Sequence, residues 1–367
     1  MTRVLVTGGA GFIGRHTCAE LLGAGYDVTV MLAPGESGRA VAAMGCATVV
    51  GDVRDLPSLD AAIAGHKVVV HMAALYSLWM KDWRPLYAIN VQGTENVLDA
   101  AKRAGVERVV YTSSIAALGV PPGMTPTTED TEFNQHGRCA HYVMSKHYAE
   151  RRVRAAQQAG APVVTVYPAM PFGPGDLRPT PTGMLLLRCL GGAFFAYGSG
   201  SLNAVDVRDV ARGHLLALEK APDGGRYLLA GEHMGWGRFF ALAHAAGGVS
   251  RPALAVPHWA MRAIAKIGDA VGTFTEPLVD TPAVVYTAQQ LTYDTSRAES
   301  ELGWTRRPIE RTFEDAVGWF RRHGYPEPGM RLWDLGTRRA MRAAAARALD
   351  SVDEIEAPAG ETESEES

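Results

Sequence analysis

Four cysteines in 367 residues, Cys18, Cys46, Cys139 and Cys189, are too few and too scattered to staple a fold. No CxxC pair occurs, so a zinc ribbon and a thioredoxin-like redox motif are both excluded; no metal site is expected, and the thiols read as reduced and mostly buried. Apolar runs approaching the ~18 residues needed to span a bilayer are missing too. The chain opens almost at once on RVLVTGG, with no charged and apolar leader, which together with the reduced thiols predicts a cytoplasmic protein. Basic excess is lacking: 36 Lys+Arg against 39 Asp+Glu leave a net charge of −3, so nucleic acid is not an expected partner. Repeats of solenoid length are absent. The composition, 47% hydrophobic and 20% charged, is that of a globular protein long enough for one large domain or two.

What is present is an alternation. Val4 to Thr7, Val28 to Leu32, Ala47 to Val50, Lys67 to His71, Arg108 to Thr112 and Val163 to Val166 read as strands. Helical stretches lie between them, among them Gly14 to Leu22, Leu56 to Ala64 and Val91 to Ala104. Continuous apolar strands separated by amphipathic helices predict an α/β, doubly wound parallel sheet covered on both faces. After about Pro168 the rhythm breaks into Pro- and Gly-punctuated pieces, PFGPGDLRPTPTG being the densest, which predicts a smaller second lobe over 168–330. Arg331 to Leu349, with Trp333 near its start, is Ala- and Arg-rich and reads as a solvated basic helix. The acidic segment 350–367 has no aromatics and is expected to be disordered.

Between the first strand and the first helix stands TGGAGFIG, with Gly8, Gly11 and Gly14 spaced by three around Phe12 and Ile13. A tight turn, a backbone approaching a pyrophosphate and a helix N-terminus presenting free N–H groups all need glycine there. The setting makes residues 1–167 a dinucleotide-binding domain; a glycine-rich turn without ligand is the alternative. An acid that would bind the adenosine ribose of NAD is missing: Leu32 and Ala33 occupy its place, nothing nearby opposes a 2′-phosphate, and Arg39 follows. This favours NADP over NAD, unless Arg39 is an ordinary surface residue.

HYVMSK sets Tyr142 four residues ahead of Lys146, one above the other on a helix, so a phenol and an ammonium can act on one substrate atom. Chance alone would supply roughly 0.2 such pairs in a chain of this composition, so the spacing needs support from elsewhere.

That support comes from GDVRD after the third strand, HMAA after the fourth, NVQGTENVLDAA in the next helix and VVYTSSIAALG at the fifth strand's exit. With the glycine loop and YVMSK they resemble, in order and spacing, the extended short-chain dehydrogenase/reductase family over about residues 1–325. Within it the chain is similar to the dihydroflavonol-reductase-like and 3β-hydroxysteroid-dehydrogenase-like groups and to hopanoid-associated sugar epimerases. The resemblance implies a Rossmann domain with a substrate-binding lobe. It implies Ser114 as the catalytic serine (Ser113 the alternative) and Tyr142 and Lys146 as the acid/base pair, Lys146 also holding the cofactor. Asp52 and Val53 would contact adenine, Ala73 and Ala74 would line the cofactor trough, and Pro168 would lie beside the nicotinamide. Asn90 would tie helix to sheet. A tyrosine pKa near ~10 suits a poor base, and the Lys146 ammonium together with the positive charge of an oxidised nicotinamide is expected to lower it.

For the substrate, the resemblance implies a diphosphate-binding cation in nucleotide-sugar members. In GSGSLNAVDVRDVA Leu202 and Asn203 occupy that neighbourhood, Asp206 stands where histidine or tyrosine is more usual, and Arg188 reads as a solvated helix residue. The loop after the fourth strand offers Leu75, Tyr76, Leu78, Trp79, Met80 and Trp83, and the stretch 257–274 offers Trp259, Ile264, Ile267 and Val271. Core packing is the plain reading of each; two apolar lips around one pocket favour a bulky ring-bearing alcohol or ketone, steroid-, triterpenoid- or flavonoid-like, with loss of a β-carboxylate after oxidation one variant. A nucleotide-sugar epimerase or dehydratase is the second reading, and a non-catalytic, cofactor-sensing protein the third. A homodimer, and membrane-surface contact through Arg331–Leu349 or the helix near Trp259, are the macromolecular contacts this leaves open.

Overall fold

Alternate residues of each early strand point to opposite faces of one sheet, and this period of two sets the layering. Val4 and Val6 of β1 (Arg3–Thr7) enter one core and Leu5 the other; Val68 and Val70 of β4 (Val68–His71) divide from Val69 in the same way. The computed structural model describes residues 1–350 except 78, 124, 138, 195, 251–252, 273–280, 282–283, 286–287 and 328–334. Leu78, Trp333, the Val271 side chain, the start of the basic segment at Arg331 and the acidic tail lie outside the described residues.

In the first half β1 is followed by α1 (Phe12–Gly23), β2 (Asp27–Leu32), α2 (Arg39–Ala43), β3 (Ala47–Val50) and α3 (Leu56–Ile63). After β4 come α4 (Arg84–Tyr87), a π-helical turn (Ala88–Gln92), α5 (Gly93–Arg103), β5 (Arg108–Thr112), α6 (His141–Gln158) and β6 (Val163–Pro168). In the second half β7 (Met170–Phe172), α7 (Pro181–Gly191), β8 (Ala196–Tyr197), β9 (Ser201–Asp206), α8 (Val207–Lys220) and β10 (Arg226–Leu229) precede β11 (Glu232–Gly235). Then follow α9 (Trp236–Gly247), β12 (Leu254–Ala255), α10 (His258–Gly272), α11 (Ile309–Arg322) and α12 (Leu335–Asp350).

The main sheet has the order β10-β6-β5-β4-β1-β2-β3, and every pairing in it is parallel. Helices α1 and α8 pack on one face and α3, α5 and α6 on the other, so both faces are buried except at the edge strand β3. Each fully buried valine or leucine there contributes about 1.5–3 kcal/mol. The chain does not leave this sheet for good at residue 168: β10 returns to pair with β6, and α8 packs against α1.

The second lobe is built on β11-β9-β7 and on α7, α9 and α11. Its centre is a three-ring cluster, Phe172, Phe239 and Phe313, with centroids 5.2–5.9 Å apart. Asp206 caps α8, accepting from the Arg208 N–H at 2.8 Å, and Thr312 of α11 donates to its other oxygen at 2.8 Å, so the residue read as a substrate-site feature is a structural link between the lobe and α8. The basic segment is not solvated all round. Ala344 and Ala348 of α12 are buried in the second core, and Arg347 donates to the His323 and Gly324 carbonyls at 3.3 and 3.2 Å.

Candidate active site

β1 and β4 are neighbours, yet the chain leaves β1 toward β2 and β4 toward β5, so a crevice opens beyond their carboxyl ends. It holds a cavity of about 720 Å³. Gly8, Gly11, Phe12, Ile13 and Gly14 form its floor. Gly8 sits at φ +74°, where a Cβ would come within 2.7 Å of the Ala73 nitrogen, and a Cβ on Gly14 would collide with the Gly8 carbonyl. The bare backbone at the mouth of α1, which carries no side-chain cap, suits a diphosphate on the helix N-terminus.

Ala73 and Ala74 line the wall after β4, and Pro168 closes the end of β6. The Ala73 N–H donates to Thr7 Oγ1 at 3.3 Å; that hydroxyl also meets His71 Nδ1 at 2.7 Å, and burial lowers the His71 pKa to about 3, so the ring is neutral. Asp52 and Val53 line the end of β3. Arg54 grips the Asp52 carboxylate, with its Nε 2.9 Å from Oδ1, and holds its pKa below the usual range. The Val53 carbonyl accepts from Asn96 Nδ2 at 2.9 Å.

Beyond β2 the sequence expectation is corrected. Glu36 lines the cavity and accepts from the Ala33 N–H at 3.1 Å, so a carboxylate does stand at the end of β2, displaced three residues along the chain. Arg39 opens α2 and is not among the lining residues.

Helix α6 carries a buried stripe at Val143, Lys146, Glu150 and Val153, helical spacing that turns the lysine inward. Lys146 is 3% exposed; its Nζ donates to the Thr112 carbonyl at 2.9 Å and lies 5.3 Å from the Tyr111 ring centroid. Burial lowers its pKa to about 8, against the raising effect of Glu150. Tyr142 and Ser114 both line the cavity. Burial pushes the Tyr142 phenol up to about 12, and the nearby Ser114 hydroxyl works the other way. Desolvation sets the direction of the phenol's shift, and the Lys146 ammonium is engaged by the Thr112 carbonyl. Ser114 Oγ also accepts from the Ala116 N–H at 3.1 Å, while Ser113, also lining, is buried.

Asn90 ties a loop to a helix rather than a helix to the sheet. Its Oδ1 accepts from the Leu75 N–H at 2.7 Å, and its Nδ2 donates to the Leu75 carbonyl and to Ser145 Oγ, each at 3.0 Å. The next residue, Tyr76, lies 4.7 Å from the Tyr142 ring, centroid to centroid, and lines the cavity. The other expected substrate contacts are not brought there. Trp83 stacks on His141 at 4.5 Å, immediately before the tyrosine, and neither it nor Trp79 lines the cavity. Trp259 is 73% exposed on α10 and is likewise not a lining residue. The remaining wall comes from residues the sequence reading passed over, including Thr112, Met170, Thr180 and Thr182. The two threonines belong to the quoted PTPTG stretch, but nothing in its spacing assigns them to the crevice.

Residues 4–230 match the NAD dependent epimerase/dehydratase family. The chain is 38% identical over 326 residues to a Synechocystis protein bearing a dihydroflavonol 4-reductase name, covering 87% of this chain and 95% of that one. It is 33% identical over 325 residues to sterol demethylase protein B of Methylococcus capsulatus, covering 87% and 98%. The crystal structure of gox2253 superposes with a TM-score of 0.80 at 34% identity, over 89% of this chain and 100% of that one.

Proposed function

This chain belongs to the NAD dependent epimerase/dehydratase family, and on that premise we propose that it interconverts a secondary alcohol and a ketone on a bulky, mostly apolar ring substrate of the sterol or triterpenoid class. The observation that carries this reading is the lining of the crevice: its basic residues among those described are Arg54, held by Asp52, and Lys146, held by Thr112. A sugar-nucleotide diphosphate finds no uncommitted cation there among the described residues, whereas Tyr76 beside Tyr142, and Met170 elsewhere in the lining, offer apolar surface.

The bound dinucleotide supplies the acceptor or donor of hydride. The protein's own residues handle the proton. Tyr142, a phenol with a pKa of about 12, is protonated at neutral pH and can give its proton to a forming alkoxide. Ser114 lines the crevice with that phenol and is placed to hold the substrate oxygen. Lys146, a buried ammonium one helical turn on, favours the phenolate when the proton leaves. Glu36 supports NAD rather than NADP as the partner dinucleotide, against the expectation placed on Arg39. In a substrate carrying a carboxylate β to the new ketone, decarboxylation would follow oxidation.

The test is turnover, read by dinucleotide fluorescence, on sterol, triterpenoid, flavonoid and nucleotide-sugar panels. Ring alcohols or ketones should turn over, and Tyr142→Phe should lose roughly 10²–10⁴-fold in kcat with dinucleotide Kd unchanged. Epimerisation of a nucleotide sugar without net change in the dinucleotide would replace this reading with the epimerase one, and a Tyr142→Phe enzyme within a few-fold of the parent would remove the tyrosine from the chemistry.

A further inference from the structure

Among the described residues, helix α10 leaves its apolar side uncovered. Trp259 is 73% exposed, Ile267 67% and Ile264 44%, and Leu254 of β12, just ahead of the helix, is 55% exposed. Trp259, Ala263, Ile267 and Ala270 recur every three or four positions and form one exposed stripe; Arg262 and Lys266, also exposed, run along its edge. The other side is the anchored one. Ala265 is fully buried, β12 pairs with β8, and the Val256 N–H donates to the Tyr197 carbonyl at 2.9 Å. The single acidic residue of the helix, Asp269, accepts from the Thr281 N–H at 2.9 Å and from its hydroxyl at 2.6 Å.

A tryptophan and two isoleucines held in water on one short helix form a surface that needs a cover. The basic edge identifies it. A two-fold contact of this helix with a second copy would offer Arg262 and Lys266 no uncommitted carboxylate from the same helix, since Asp269 is engaged by Thr281. A membrane surface bearing anionic headgroups instead meets the stripe with hydrocarbon and the edge with phosphate, and tryptophan suits that boundary. We propose that α10 docks the protein on an anionic lipid surface, with Trp259, Ile264 and Ile267 entering the interface and Arg262 and Lys266 at the headgroups. No described helix is long and apolar enough to cross a membrane, so the contact is peripheral. This face lies outside the crevice lining, and the inference does not depend on the reaction proposed above.

Sedimentation of the full chain with phosphatidylcholine vesicles, with and without phosphatidylglycerol, tests it. The parent should bind the anionic vesicles, and added salt should weaken binding. Arg262→Gln with Lys266→Gln should bind about twenty-five-fold more weakly, near fivefold per basic residue. Trp259→Ser with Ile267→Ser should not sediment with vesicles at all, with melting temperature and NAD affinity close to the parent's. A parent that ignores anionic vesicles, or variants that partition as it does, would refute the proposal. So would a dimer seen by sedimentation velocity and broken by Trp259→Ser with Ile267→Ser.

Discussion

A carboxylate 3.1 Å from the Ala33 N–H puts negative charge at the end of β2, the place from which an acid recognises the adenosine ribose in this fold. Glu36 reaches it by folding back over Pro34 and Gly35, which is why counting residues from the glycine loop misses it. Glu36→Gln keeps the side chain's length and removes its charge. NADP affinity should then rise about tenfold, the size of one relieved like-charge contact near a surface, while NAD changes less than about threefold. Fluorescence titration of both dinucleotides measures this directly. A parent that already prefers NADP would restore Arg39 to the role the sequence suggested. Tyr142 and Lys146 show the complementary case at this scale: their spacing was readable, but their electrostatics were not. Burial, which spacing does not report, raises the phenol to about 12 and lowers the ammonium to about 8.

The π-helical turn Ala88–Gln92 is where one element positions two others. It faces Asn90 inward, 2% exposed, between the loop after β4 and α6. Asn90→Leu would strip the Leu75 N–H and carbonyl of their partners. Leaving buried polar groups unpaired costs about 1–3 kcal/mol, so the melting temperature should fall by several degrees. Because Tyr76 is the next residue, substrate KM should rise at the same time with NAD Kd unchanged. Loss of stability with an unaltered KM would show that the loop holds its place by other means. The sequence reading begins a helix only at Val91, inside this turn; the Asn90 hydrogen bonds to Leu75 and Ser145, distant in the chain, leave no local signature.

At the scale of the whole molecule, the loop around Asp176 joins the glycine-loop helix to the second lobe. Arg15 of α1 donates to the Gly175 carbonyl, His16 Nε2 meets the Pro174 carbonyl at 3.0 Å, and Thr180 gives Asp176 Oδ2 two hydrogen bonds of 2.8 Å. Burial raises the Asp176 pKa to about 7, despite Thr180 and Arg15 pulling it down. The folded carboxyl therefore holds its proton more tightly than the unfolded one, and the fold gains stability as pH falls through about 7 toward the ordinary carboxylate range. Asp176→Asn removes that titration, so the melting temperature of the parent should rise relative to the variant on acidification. A difference that stays flat with pH would mean that Asp176 is ionised throughout, paired with Arg15. The amino-acid sequence by itself determined the six leading strands, whose alternating valines and leucines fix two buried faces, the glycine loop that only a bare backbone can form, and the helical register of Tyr142 and Lys146. Tertiary structure decided the return of β10 to the main sheet, the placing of Glu36 in the crevice, the burial of α12 on its alanine side and the exposure of Trp259. Local periodicity records which side of an element is apolar; which surface, if any, covers that side depends on segments far away in the chain.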